Sequence, residues 1–344
     1  MTISKSPHAS RIDGCSTPAA RDMANHHDRL GRRSRLSPSS TGKRVSPRDR
    51  DLVWFEKLHE HGPLPTSFLL AFTRDMRRSE KRARERLTDL FNEDDTPDGG
   101  PYLLRPPQQF RTLDSRYNQL VYELAPAGER ALDRLHPSSA VHVGANGPWL
   151  HGFMTSCITA SFELATMARS DIAYIPQSAI LTRANATLRH PVSVADPRTG
   201  REIRMDLAPD AIFGLEYRTP SGSKFRFFAV EADRATEPVA TSAWNRKSFM
   251  RSLLHYENYV GGEIYRDHLQ LTAPLLVLIV CSDPMRTARM IEAAAGRYSH
   301  GNSFMLFQTW EDFGPVFRPA PPRTEVLDGE WLRAGFSSLH IGRV

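Results

Sequence analysis

The chain has 344 residues, 40% of them hydrophobic and 24% charged, with a formal net charge of +6. No run of apolar residues is long enough to cross a bilayer as a helix, and the first thirty residues lack the apolar centre of a secretory signal. Three unpatterned cysteines (Cys15, Cys157, Cys281) exclude a disulfide framework and a cysteine zinc site, and a cytoplasmic protein is expected.

The charge is unevenly placed. Residues 1–50 hold 11 Lys and Arg against 4 Asp and Glu, whereas the remainder holds 34 against 35. Residues 1–49 therefore read as a disordered basic arm, densest in RLGRRSRLSPSSTGKRVSPRDR, with Arg32, Arg33 and Arg35 as polyanion contacts. The alternative is a solvated tail without a partner.

Residues 50–136 change character. DLVWFEKLHEHG spaces Leu52, Phe55 and Leu58 helically and stops at Gly62; LPTSFLLAF follows as a short apolar helix, with Thr66 or Ser67 as its cap. In MRRSEKRARERLTDLFNED, Ala83, Leu87, Leu90 and Phe91 form one stripe, ringed by Arg77, Arg78, Lys81, Arg82, Arg84 and Arg86. The strand-like pieces YLLR (102–105) and QLVYEL (119–124) and the helix APAGERALDRL complete the region. Three helices and a hairpin are the order of a winged helix-turn-helix, its third helix in the major groove and the loop at Pro106–Arg116 touching phosphate. A charged helix meeting an acidic protein partner is the competing reading.

From about 148 to 310 the order is α-β-β-β-α-β. The helix at 153–170 carries Phe153, Cys157, Ile158, Phe162 and Ala165 on its apolar face, with Glu163 beside them as a further carboxylate ligand or a surface residue. IAYIPQSAI reads as a strand, EIRMDLAPDAIFGLEY brings Asp206 and then Asp210 to a strand start, and PSGS turns the chain into SKFRFFAVEAD. A long helix is expected over TSAWNRKSFMRSLLHYENYV (241–260), with Trp244, Phe249, Leu253, Tyr256 and Val260 inward. PLLVLIVCSD is a buried strand ending at the core residue Cys281, and MRTARMIEAAAGRY a further helix. His190, His300 and His340 have no ligand spacing. Residues 311–344 form a C-terminal extension that covers a sheet edge or mediates self-association.

Glu231 and Asp233 stand two apart in a strand, so both leave the same face. With Asp210 on the neighbouring strand they offer three carboxylates to a hard cation, Mg²⁺ or Mn²⁺, which could activate water against a phosphodiester. The alternative is a salt-bridged cluster with Arg234, Arg246 or Lys247. Tyr256 or Tyr259 could act as nucleophile and His255 as base, but Tyr256 reads first as a packed core aromatic.

PDAIF followed by AVEAD resembles the core of the PD-(D/E)XK nuclease superfamily, except that Asp233 stands where Glu-x-Lys would place its lysine. The combination with Arg82–Leu90, Val121–Gly128, Lys247, Tyr256 and Tyr259 resembles the replication-relaxation family of plasmid and mobile-element proteins over about residues 50–290. The resemblance implies a winged helix before a nuclease-like core but by itself no nuclease activity; Asp210, Glu231, Asp233 and Lys247 are the candidate catalytic residues, the first three as metal ligands. It implies double-stranded DNA as partner, in replication, relaxation or mobilisation, with a second copy of the chain or other mobile-element proteins alongside. Binding without turnover is favoured over a nickase or endonuclease, because an aspartate at the lysine position gives no electrophilic help to phosphate.

Overall fold

A computed structural model describes residues 35–93, 99–111, 113–135, 148–196, 199–240, 247–298, 300–314 and 316–343. Arg32, Arg33, Trp244, Arg246 and Cys15 lie outside the described residues, as does most of the 137–148 connection.

The N-terminal unit runs α1 (Asp49–His61), β1 (Leu64–Pro65), α2 (Thr66–Phe72), α3 (Glu80–Asn92), β2 (Leu103–Leu104), β3 (Val121–Leu124) and α4 (Pro126–Leu135). Gly62 ends α1 at φ +96°, a conformation that a residue with a Cβ rarely adopts. Ser79 caps α3 by accepting the Arg82 N–H, and the stripe Ala83, Leu87, Leu90 and Phe91 is buried as its spacing requires. β3 lies between β1 and β2 in an antiparallel sheet of three. β1 escaped the sequence reading because it is only two residues, one of them Pro65, whose missing N–H excludes it from most strands.

Residues 35–48, assigned above to a disordered arm, are held against this unit. Val45 is buried, Ser40 and Thr41 donate to Glu93, and Arg35 donates to the carbonyls of Ser115, Arg116 and Asn118. Polar composition alone concealed this, because the partners are carbonyls and carboxylates of distant elements rather than an apolar core.

The second unit is a seven-stranded sheet in the order β12-β11-β10-β9-β8-β7-β4. Its strands are β4 (Ile172–Ile175), β7 (Ala211–Thr219), β8 (Gly222–Asp233), β9 (Leu275–Cys281), β10 (Met305–Thr309), β11 (Trp331–Arg333) and β12 (Phe336–Leu339). β4, β7 and β8 are antiparallel; β8, β9 and β10 are parallel. α5 (Trp149–Met167) covers one face. Phe227, Ala229, Val277 and Ile279 point to the other, where α7 (Phe249–Tyr256), a π-helical turn at Glu257–Gly261, α8 (Ile264–Leu269) and α9 (Pro284–Arg297) complete the layer.

Four expectations change. IAYIPQSAI divides at Pro176 into β4 and a helix, α6 (Gln177–Ala184). Asp206 belongs to β6 (Glu202–Leu207), which pairs with β5 (His190–Ala195) in a separate hairpin. The long helix begins at Phe249 with Ser248 as its cap, so Lys247 precedes it. The C-terminal extension at 311–344 covers a sheet edge, one of its two expected roles, but does so as part of the sheet: β11 and β12 extend it beside β10, and Trp331 and Ile341 are buried.

The two units share one apolar cluster, in which Phe55, Leu58 and Phe72 meet Phe153, Ile158 and Phe162. Polar ties reinforce it. Lys57 and His61 of α1 contact Glu163 of α5 at 2.5 and 2.7 Å. Glu163 is therefore neither a surface residue nor part of the Asp210 site. Burial alone would raise its pKa, but hydrogen bonds and charge from His61 and Lys57 prevail and pull it down to about 2.

Candidate functional site

The register that pairs Ala211 with Val230 brings Asp210, one residue earlier, alongside Glu231 at the end of the β7–β8 ladder. Asp210 is fixed by two bonds. One carboxylate oxygen accepts the Ala232 N–H at 2.8 Å, and the other meets His151 Nε2 at 2.7 Å. Glu231 Oε1 accepts the hydroxyl of the buried Tyr256 at 2.5 Å. Burial and the neighbouring Asp210 charge push the Glu231 carboxyl up to about 8, against the opposing Tyr256 hydrogen bond. Two carboxylates in one recess resist joint ionisation.

Asp233 is differently placed. It lies two residues further along β8, a step of roughly 6.6 Å, where α9 delivers Arg286. The guanidinium makes two bonds to the Asp233 carboxylate, at 2.7 and 2.6 Å, and a third to the Glu237 carbonyl. Asp233 is therefore neutralised by an arginine other than those the sequence suggested. Among the described residues no three His, Cys, Asp or Glu side chains form a group that could hold a metal ion.

Lys247 reaches Glu237 at 3.3 Å and stays half exposed. Burial works against its charge, but Glu231, Glu237 and Asp210 outweigh that and raise its pKa. It stands within electrostatic reach of the carboxylate pair, as expected, but on a connection rather than a helix. Tyr256 is a core aromatic whose hydroxyl serves Glu231, and Tyr259 contacts His268 Nδ1 at 2.7 Å. Burial drives His255 down to about 4.

The cationic helix also divides. Arg84 and Arg77 pair with Glu80, and Arg86 turns inward to the fully buried Asp51 at 2.6 Å and to the Ser46 carbonyl. Arg78, Lys81 and Arg82 are exposed and form no ion pair with any described residue. Arg35 holds the β2–β3 connection rather than facing outward.

A family model described as replication-relaxation matches residues 55–273, spanning α1 through α8. The chain belongs to the replication-relaxation family. Membership supports a role in replication or relaxation. No curated protein and no solved structure is significantly similar to the chain. Among the described residues no helix is long and apolar enough to cross a membrane.

The family match covers both the exposed cations of α3 and the Asp210–Glu231 pair, but not Arg286, which lies beyond it. Sequence reasoning missed His151 and Arg286. His151 stands in GPWLHGFM with no spacing signal toward Asp210, 59 residues away. Arg286 follows the Asp283–Pro284 start of a helix, and only the parallel packing of β8 on β9 brings that helix end to Asp233.

Proposed function

We propose that this chain is a duplex-DNA-binding protein of plasmid or mobile-element replication and relaxation. Its N-terminal unit is a winged helix, and its nuclease-like core acts without catalytic turnover. The observation that carries the reading is the chain order α-β-α-α-β-β, ending in a three-stranded sheet, with Arg78, Lys81 and Arg82, which form no ion pair with any described residue, facing solvent on and just before the third helix. A helix so placed enters the major groove, where cations meet phosphates and base edges, while the β2–β3 connection reaches the backbone. Arg35 fixes that connection.

Mobility shift of duplex DNA at low salt tests it. Shifting should weaken steeply as salt rises, because phosphate contacts release counterions. The paired change Lys81→Ala and Arg82→Ala should reduce affinity about tenfold or more with no loss of thermal stability. A wild-type protein that leaves duplex DNA unshifted would sink the reading.

A second reading, metal-dependent nicking, is favoured by one specific observation. Asp210 and Glu231 crowd each other, and Glu231 is held protonated up to about pH 8, a conflict that a divalent cation would relieve. A cation there would supply Lewis-acid activation of water or phosphate. The chain itself contributes His151 to orient Asp210, Tyr256 to orient Glu231, and Lys247 as nearby positive charge. Against turnover stands Asp233, bound to Arg286 where a free lysine would stabilise the phosphate. Incubating supercoiled plasmid with Mg²⁺ or Mn²⁺ decides: nicking by wild type that is lost in Glu231→Ala and Asp210→Ala would establish the enzyme.

A further inference from the structure

A cleft of about 1310 Å³ opens beside Asp210, between the first half of α5 on one side and α6 with the loop to β5 on the other. His61 of α1 and Tyr174 of β4 lie in its lining, so both units bound it. Its volume exceeds the roughly 300–1,000 Å³ of ordinary small-molecule pockets, which favours an extended ligand. A compact space of that volume is on the order of 14 Å across, little more than the about 12 Å major groove alone, so a whole duplex does not fit inside it.

The two walls suit different parts of a strand. Arg234 lies in the same lining as Asp210, follows directly on β8, and forms no ion pair with any described residue. Lys247 lies nearby, half exposed and with Glu237 as its partner. These two cations flank the carboxylate end and fit a phosphodiester. Along the opposite wall Leu181, Ala186 and Leu188 give a partly buried apolar surface against which the faces of bases can be buried. Thr155 and Thr159 face the cleft with hydroxyls that already donate to backbone carbonyls; that of Thr159 also meets His61 Nδ1, whereas that of Thr155 keeps acceptor capacity.

We infer that this cleft binds unpaired DNA, taking a phosphodiester between Arg234 and Lys247 beside Asp210 and seating bases against Leu181 and Leu188. The inference rests on the DNA-binding reading above and specifies the strand that reaches the core. Duplex engaged by α3 and a melted or displaced strand in the cleft then become two separate contacts of one protein. Access to a base inside a duplex requires such unpairing, which is cheapest at mismatched or already single-stranded positions.

The test is fluorescence anisotropy of the full chain in EDTA, with a labelled oligothymidylate and, separately, a blunt-ended duplex. Arg234→Ala and Ala186→Trp, which removes the free cation and fills the cleft respectively, should each weaken oligothymidylate binding about tenfold while duplex affinity and melting temperature stay at wild-type values. Lys81→Ala with Arg82→Ala should do the reverse. If wild type binds duplex but not oligothymidylate, or if both cleft variants bind it as wild type does, the inference is overturned and the duplex-binding reading stands. If wild type binds neither, both fall. Should Ala186→Trp melt early, Arg234→Ala, whose side chain holds no ion pair, decides alone.

Discussion

Arg286 grips Asp233 through two nearly equal hydrogen bonds, 2.7 and 2.6 Å, joining the start of α9 to the end of β8. The pair is mostly buried, with side-chain exposures of 10% and 19%. It ties the last residue of β8 to the helix that follows β9. Removing one partner strands the other's charge. Arg286→Ala should therefore destabilise the protein by about 3–5 kcal/mol, read in denaturant unfolding. Asp233→Lys should be at least as harmful, because it sets a lysine against Arg286. A wild-type unfolding midpoint in Asp233→Lys would show that the tie is unimportant.

The charged third helix should separate into two kinds of residue. Arg86 neutralises Asp51, which is fully buried at the start of α1. Arg86→Ala should cost about 3 kcal/mol or more of stability, and lower DNA affinity only as far as it loosens the unit. Lys81→Ala and Arg82→Ala should leave unfolding within about 0.5 kcal/mol of wild type. Chemical denaturation beside a duplex titration distinguishes these outcomes.

Glu231 makes stability depend on pH in an unusual sense. Its folded pKa of about 8 lies above the ordinary 4.5. Between those values the unfolded chain releases a proton that the folded chain keeps, so stability falls as pH rises from about 4.5 to 8. Glu231→Gln keeps an oxygen for the Tyr256 hydroxyl and removes the titration. At pH 8 it should be the more stable protein by roughly 2 kcal/mol, after allowance for partial exposure, and the gap should close below pH 4.5. Thermal melts with and without Mg²⁺ extend the test: a cation that settles on the carboxylate pair should narrow the gap at pH 8.

Glu163 behaves in the opposite way. Its folded pKa near 2 lies below the ordinary 4.5, so its contribution is complete above pH 4.5 and disappears as pH falls toward 2. Glu163→Gln should lose about 1–3 kcal/mol at pH 7, and the difference from wild type should vanish in acid. Because Glu163 joins α1 to α5, limited proteolysis of this variant should cut the N-terminal unit sooner. A loss of stability confined to low pH would contradict the assignment.

Much of the fold was legible where side-chain periodicity dictates burial. The stripe of α3, the face of α5 and the β7–β8 hairpin at PSGS follow directly from spacing and turn residues. What misled was local composition without knowledge of distant partners. Residues 35–48 look unable to fold because their polar groups bind Glu93, Asp89 and the β2–β3 connection, up to 83 residues away. Pro176 could end a strand or open a helix, and it does both. In the site, Asp210 and Glu231 were recognisable from their positions on adjacent strands. The destination of Asp233 was not, since alternation gives the face a side chain leaves but not which helix end arrives there.

The seven-stranded sheet is finished by residues far along the chain. β9 can pair with β8, and β10 with β9, as soon as they exist, but the outer edge of β10 is covered only by β11, whose Trp331 is fully buried. During synthesis, a ribosome that has released β10 still holds back its cover by some twenty residues. For that interval an apolar strand, with Met305, Leu306 and Phe307, offers an open row of hydrogen-bonding groups to any neighbouring nascent chain. Loss of residues 331–339 through a premature stop would make that interval permanent, turning a folding delay into self-association.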